Sequence, residues 1–553
     1  DDDNDGEPDA TDRFNFDPTE WADSDNDGLG DNADNAPNDP NIQYLQITDA
    51  LALVVDNNLR QCISEQLANQ DLTTDTVSNL SCNTYYIQTL DGIELFSQLT
   101  GLRVDNANQD GFDSVDITAV SSLTRLRELM LIGNGISNIT PLSNLLSLER
   151  LELPDNEISD LAPLTKLRSL RTLVLHSMPL LVDISPLSNL TNLTQLYLDN
   201  IPSLTDIGSV SQLKALERLD LRDTPVADFT PVTQLPQLNW LGVTGNAGNL
   251  GPVYTLTNLY ELLIVNSPGI DLNAVATMTN LGQLSIYGNN LSDMSALSAL
   301  VNLDAIDIGN NPVSDLSFLR TMPNLNWLRA SYISPSANFS VINELTGLTN
   351  LLLDGNGLTN FDQFTSLSNL RLLAASQRGS NDGTFNNIDA VINFPQLEHL
   401  NLDGNQVVDI SVLNNLNNLN YVSFNGNRIT NIGNALDNVV FGGYVDLTNN
   451  PLLCTEVENY VAPDGVQVDF DAANCTGDRD GDGVIDSEDA FPDNIAASAD
   501  FDQDGEPDDW NPGCDLTCQQ NSGLVLDLDD DNDGEPDATD RFNFDPTEWA
   551  DSD

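Results

Sequence analysis

Aspartate at every second position, closed by glycine, is the arrangement in this chain most able to do chemistry. DDDNDGEPD (1–9) runs on to Asp12, so that Asp1, Asp3, Asp5, Asp9 and Asp12 surround Gly6. Four further copies keep the spacing: Asp23, Asp25, Asp27, Asp31 and Asp34 around Gly28; Asp478, Asp480, Asp482, Asp486 and Asp489 around Gly483; Asp500, Asp502, Asp504, Asp508 and Asn511 around Gly505; Asp529, Asp531, Asp533, Asp537 and Asp540 around Gly534. Alternation puts successive carboxylates on one side of a tight turn, and glycine at the sixth position lets the backbone bring a carbonyl into the same shell. Oxygen donors without His or Cys select a hard cation, so the expected cofactor is Ca2+, several ions per chain. A solvated acidic linker is the plain alternative, and five copies in register argue against it.

Other chemistries find no footing. The sequence has no GxSxG elbow, phosphate loop or HExxH pair, and its two histidines, His176 and His399, fall in widely separated segments. No catalytic residue is expected. The six cysteines fall as three local pairs, Cys62 with Cys82, Cys454 with Cys475 and Cys514 with Cys518, which suits disulfides in an oxidising compartment; none has the further ligands of a tetrahedral zinc site. The net charge of −67, from 86 acidic against 19 basic residues, repels nucleic acid and anionic membranes and attracts cations. No apolar run is long enough to span a bilayer. With no initiator Met or signal peptide, the expectation is a secreted or surface-attached segment of something longer.

The loops flank a regular array that must position everything else. A unit of about 22 residues recurs about fifteen times over 99–438. Two consecutive copies read LTRLRELMLIGNGISNITPLSN (123–144) and LLSLERLELPDNEISDLAPLTK (145–166), and later ones begin at Leu167, Leu190, Leu213, Leu235, Leu256, Met278, Leu300, Met322, Leu345, Leu367, Phe394 and Leu416. In LxxLxxLxLxxNxIxDIxPLxxL the LxL pair is a short strand with its leucines inward. One coil cannot bury its own apolar face, but stacked coils make a continuous core and a parallel sheet. The Asn at the turn (Asn134, Asn156, Asn246, Asn289, Asn311, Asn356, Asn405, Asn427) is expected to bond buried backbone groups.

This pattern resembles the leucine-rich repeats of bacterial internalin-like surface proteins. The resemblance implies a leucine-rich-repeat solenoid with short parallel strands on the concave face, an irregular or 3-10 convex side, and capped ends: an N-terminal cap over 41–98 and a C-terminal cap over 439–475. The acidic segments 1–40 and 476–553 resemble thrombospondin type 3 repeats, including tails such as DSEDAFPD (486–493). They depart from EF-hands, because position 12 is Asp or Asn and Pro or Gly interrupts the flanks. The second resemblance implies ions stacked along a chain with little apolar core, stiffened by calcium.

Residues 529–553 repeat residues 1–25 without a change. Local duplication is one reading; recurrence of the whole unit in tandem, as a filament or giant surface protein, is the one the non-uniform array favours. Further copies of the unit are then partners. A second partner class, a surface protein or glycan, follows from strand alternation, which puts His176, Tyr197, Arg218, Arg222, Trp240, Tyr287, Trp327, Arg329, His399 and Tyr421 on the exposed side of the concave face, among residue types favoured at recognition hot spots.

Overall fold

Leucines at LxL spacing have nowhere to hide within one coil, so the chain must lay each strand beside the next. The computed structural model describes Ala22, Ser24 and residues 45–539, except 68–71, 84–85, 106–113, 245–248, 378–384, 455–456, 458–459, 472–476, 479, 485, 487, 533, 535 and 538. The chain divides into two compact units, Asp1–Asn311 and Pro312–Asp553.

The first unit opens with two helices, α1 (Ile47–Leu53) and α2 (Asn57–Leu67). The Asp56 side chain caps α2 by accepting from the amides of Asn58 and Leu59 at 2.7 and 3.0 Å. Leu59, Cys62 and Ile63, one helical face, are buried. The Cys62–Cys82 disulfide ties this face to β1 (Asn79–Asn83). From β1 the strands follow one another in parallel to β11 (Ala305–Asp307), each in register with the next: Arg150 stands opposite Thr172, Thr172 opposite Gln195, Gln195 opposite Arg218. The ladder therefore begins inside the segment read as a cap. Across the coil run 3-10 turns such as Ala162–Lys166 and Ser185–Asn189.

The second unit repeats the scheme from β12 (Trp327–Arg329) to β18 (Gln467–Asp469). Its last two strands, β17 (Tyr444–Asp446) and β18, add two rungs within the segment read as the C-terminal cap. Both units are stacks of leucine-rich-repeat coils, as the sequence pattern implies. The inward leucines Leu151, Leu153, Leu173, Leu175, Leu196 and Leu198 are fully buried.

The turn asparagines do what their position predicts. Asn156 Nδ2 donates to the carbonyls of Leu131, Leu153 and Pro154, and its Oδ1 accepts from the amides of Asn134 and Ile136 at 3.2 and 2.9 Å. Asn311 repeats the pattern against Ile286, Ile308, Gly309, Asn289 and Leu291. Asn246 lies outside the described residues. Because one amide serves two adjacent coils, Asn156→Ala strands buried donors and acceptors in both, and a loss of about 2–4 kcal/mol is expected. Urea unfolding of the variant against wild type measures it.

A second periodic side chain holds the convex turns. Asp183 Oδ1 accepts from the Ser185 amide at 2.7 Å, Asp228 Oδ1 from Thr230 at 2.8 Å and Asp293 Oδ1 from Ser295 at 2.9 Å. These bonds to backbone and hydroxyl donors hold all three carboxyls below their ordinary value of 3.8. A carboxyl whose pKa is lowered by folding stabilises the fold above its unfolded value, and the contribution disappears as pH falls through the folded value. Melting temperature is thus expected to hold between about pH 7 and 5 and to decline below about pH 4; an unchanged melt at about pH 3 contradicts it.

Candidate metal centres and the strand face

The acidic loops at the C-terminal end of the second unit share one local design. In each, the first aspartate accepts through Oδ2 from the amide of the glycine at position 6: Asp478 from Gly483, Asp500 from Gly505 and Asp529 from Gly534, all at 3.0 Å. The glycines have φ of +98°, +93° and +96°, which a side chain tolerates poorly. This turn aims the alternate aspartates one way. Carboxylate oxygens of Asp478, Asp480 and Asp482 lie within 4.8 Å of one another, and so do those of Asp500, Asp502 and Asp504.

Such crowding is unfavourable by itself. Asp489, at position 12 of its loop, is 8% exposed, and its Oδ2 and that of Asp480 are buried without a hydrogen-bond donor. Burial, and then the neighbouring aspartates, push the carboxyls of Asp480, Asp489, Asp502 and Asp508 up; Asp530 is pushed to about 7 by burial with Asp537, Asp508 and Asp527 around it. An all-oxygen donor set with orphaned buried oxygens fits a hard divalent cation. Asp478, Asp480, Asp482 and Asp489 would hold one ion; Asp500, Asp502 and Asp504 another.

Apolar burial contributes little to the order of this segment. Beyond residue 476 the buried apolar side chains among the described residues are Ala496, Ala497 and Pro507. Three small side chains fall far short of the roughly 1–2 kcal/mol of backbone entropy lost per ordered residue. The Cys514–Cys518 disulfide closes only a short loop beside the helix Leu516–Ser522.

At position 12 of the middle loop, Asn511 turns from its own loop to the preceding one: its Nδ2 donates to Asp482 Oδ2, and its Oδ1 accepts from Ser498 Oγ at 2.8 Å. Asn532 likewise reaches back to Asp502 Oδ2. At these two joints of the described residues a side-chain amide thus stitches one module to the one before, which spacing within a loop could not reveal. Asp486 and Asp508, at position 9, close their own loops: the Asp486 amide donates to the Gly477 carbonyl at 2.7 Å, and Asp508 Oδ1 accepts from the Phe501 amide at 3.0 Å. Asp537 matches Asp508, accepting from the Asp530 amide at 2.9 Å, and Asp531 is buried. Asp1, Asp3, Asp5, Asp9, Asp12, Asp23, Asp25, Asp27, Asp31, Asp34, Asp533 and Asp540 lie outside the described residues, as does Cys475; Cys454 is disulfide-bonded.

On the strand face the expected residues separate into small groups. In the first unit Arg218 and Trp240 are register partners, and the guanidinium lies 4.2 Å from the indole centroid. Trp240 was expected exposed but is only 6% so: it lies flat over Gly242, where a Cβ would fall 2.9 Å from the ring. Arg222 is committed to Asp220, Nε to Oδ1 at 2.9 Å and Nη2 to Oδ2 at 2.6 Å. Tyr197 and Tyr287 are half-buried, and His176 Nδ1 is 3.3 Å from Ser177 Oγ. In the second unit Trp327 and Arg329 sit at the two ends of β12, both half-buried. His399, Tyr421 and Tyr444 occupy matching positions on β15 (His399–Asn401), β16 (Tyr421–Ser423) and β17, with centroids 6.0 and 5.7 Å apart. Tyr444, its hydroxyl donating to Asp469 Oδ2 at 2.8 Å, was missed because the repeat consensus breaks before it; its YVD triplet is the surviving signal.

No protein-family model and no curated protein matches the chain. Among solved structures it is similar to an internalin of Listeria monocytogenes, 28% identical over 60% of this chain and 98% of that one, with a TM-score of 0.48. It is also similar to a leucine-rich-repeat protein of Leptospira interrogans, at 19% identity over 66% and 93% of the two chains and a TM-score of 0.44. With scores this low, the fold assignment rests on the chain's own ladder. Among the described residues no helix is long and apolar enough to cross a membrane.

Proposed function

We propose that this chain is a non-enzymatic, calcium-stabilised scaffold of an oxidising extracellular space, built to recur in tandem as part of a filament or giant surface protein. The observation that carries this reading is the convergence of carboxylates with buried, unpartnered oxygens, Asp480 Oδ2 and Asp489 Oδ2 foremost, in a segment with almost no apolar core. A cation in each loop neutralises that charge and supplies the order that hydrophobic burial does not. Roughly 0.1–1 mM affinity, usual for extracellular oxygen-ligand sites, suits calcium-rich surroundings. The disulfides Cys62–Cys82 and Cys514–Cys518 support an oxidising compartment. The exact recurrence of residues 1–25 at 529–553 supports tandem organisation.

Electron microscopy of the native assembly with and without a chelator tests the reading. Regular fibres that soften or fall apart on calcium removal agree with it; isolated particles of unchanged shape contradict it.

A second reading, an adhesin or ligand-binding module, is favoured by the His399–Tyr421–Tyr444 ladder, whose spaced rings offer a stacking surface for a glycan or protein. Loss of surface attachment in Tyr421→Ala, with fibres intact, is the result that would assign recognition to this face.

A further inference from the structure

A third aspartate cluster among the described residues brings together residues that no single loop supplies. Oxygens of Asp508, Asp527 and Asp530 lie within 4.8 Å of one another. Asp508 is position 9 of the middle loop; Asp527 precedes the last loop by two residues; Asp530 is that loop's second residue, outside the alternating set. Asp527 and Asp530 are 7% and 5% exposed. Asp527 Oδ1 is engaged by the Asp529 amide at 2.9 Å, while its Oδ2 is buried and accepts no hydrogen bond. A buried carboxylate oxygen without a donor, held against two other carboxylates, is an arrangement a cation resolves.

We propose that Asp508, Asp527 and Asp530 form a separate divalent-cation site, of calcium type, at the joint between the last two acidic modules. It rests on the calcium reading of the loops and adds an ion that the loop spacing does not contain. Asn511, having turned to the preceding loop, leaves the middle loop without its own twelfth-position ligand, and Asp527 arrives beside that loop from the following module. The joint is acidic where its counterpart is not: the positions of Asp527 and Asp530 are held by Ser498 and Phe501 around the middle loop. This site therefore distinguishes this joint from the one before the middle loop, and the ion in it clamps two modules rather than closing one.

The test is equilibrium dialysis of the full chain against calcium chloride after exhaustive chelation, counting ions bound at saturation. The double variant Asp527→Asn with Asp530→Asn is expected to bind one ion fewer than wild type, and Asp508→Asn, from the other module, to lose the same ion, so that combining all three removes no second one. Circular dichroism in chelator guards against misfolding; the asparagine variants should match wild type there, since they remove uncompensated buried charge. A double variant that binds the full complement overturns the joint site and leaves the loops standing. A wild-type chain that binds no calcium overturns both.

Discussion

Removing calcium is expected to release residues 477–539 from their fold while leaving the leucine-rich coils in place. At calcium ten- to a hundredfold above a dissociation constant of roughly 0.1–1 mM, each ion adds about 1.4–2.7 kcal/mol to the folded state. Against that, Ala496, Ala497 and Pro507 offer little, so under the proposed calcium reading the balance is expected to turn on the ions. The coils do not share this dependence, because their leucines are buried to completion and their turns are closed by side-chain amides and carboxylates of the chain itself. Proteinase K digestion followed by mass spectrometry should trim the chelated chain back towards the last strand, Gln467–Asp469, and spare it in calcium. Identical fragments in both conditions would show that the acidic segment orders without cations.

Phe361→Ala is the second large effect. Phe361 lies 4.3 Å from Phe385 and 6.3 Å from both Phe364 and Phe394, measured between ring centroids, and all four side chains are fully buried. Truncating the central ring leaves a cavity walled by three others, and the expected cost is about 3–5 kcal/mol. Urea unfolding of the full chain, followed by far-UV circular dichroism, should show a transition moved to lower denaturant. Phe441→Ala is the control: that ring is 79% exposed, and a change within about 0.5 kcal/mol is expected. Equal shifts from both variants would remove the Phe361 cluster from the core of this unit.

The Phe cluster shows where reading a repeat stops. Phe361 and Phe364 take the places that Ile139 and Leu142 hold in an ordinary copy, Phe385 stands where Ile136 does, and Phe394 begins a repeat. Each looks like a conservative exchange within its own copy. That they converge is a property of the stack, since neighbouring coils bring positions one repeat apart into contact. The same limit applies to Trp240, which alternation places outward and which Gly242 lets lie flat against the sheet.

The sequence alone determined the coil. Period, inward leucines, turn asparagines and convex aspartates each act within one or two successive repeats, where spacing along the chain equals placement in space. It determined equally the local turn of the acidic loops, in which position 1 and the glycine at position 6 meet. What only the tertiary structure decided lies between turns: Asn511 reaching back to Asp482, Tyr444 joining the aromatic row, and Asp508, Asp527 and Asp530 meeting at one joint. Those contacts depend on how one module is laid against the next, a relation set by packing and charge that no periodic spacing within a module encodes.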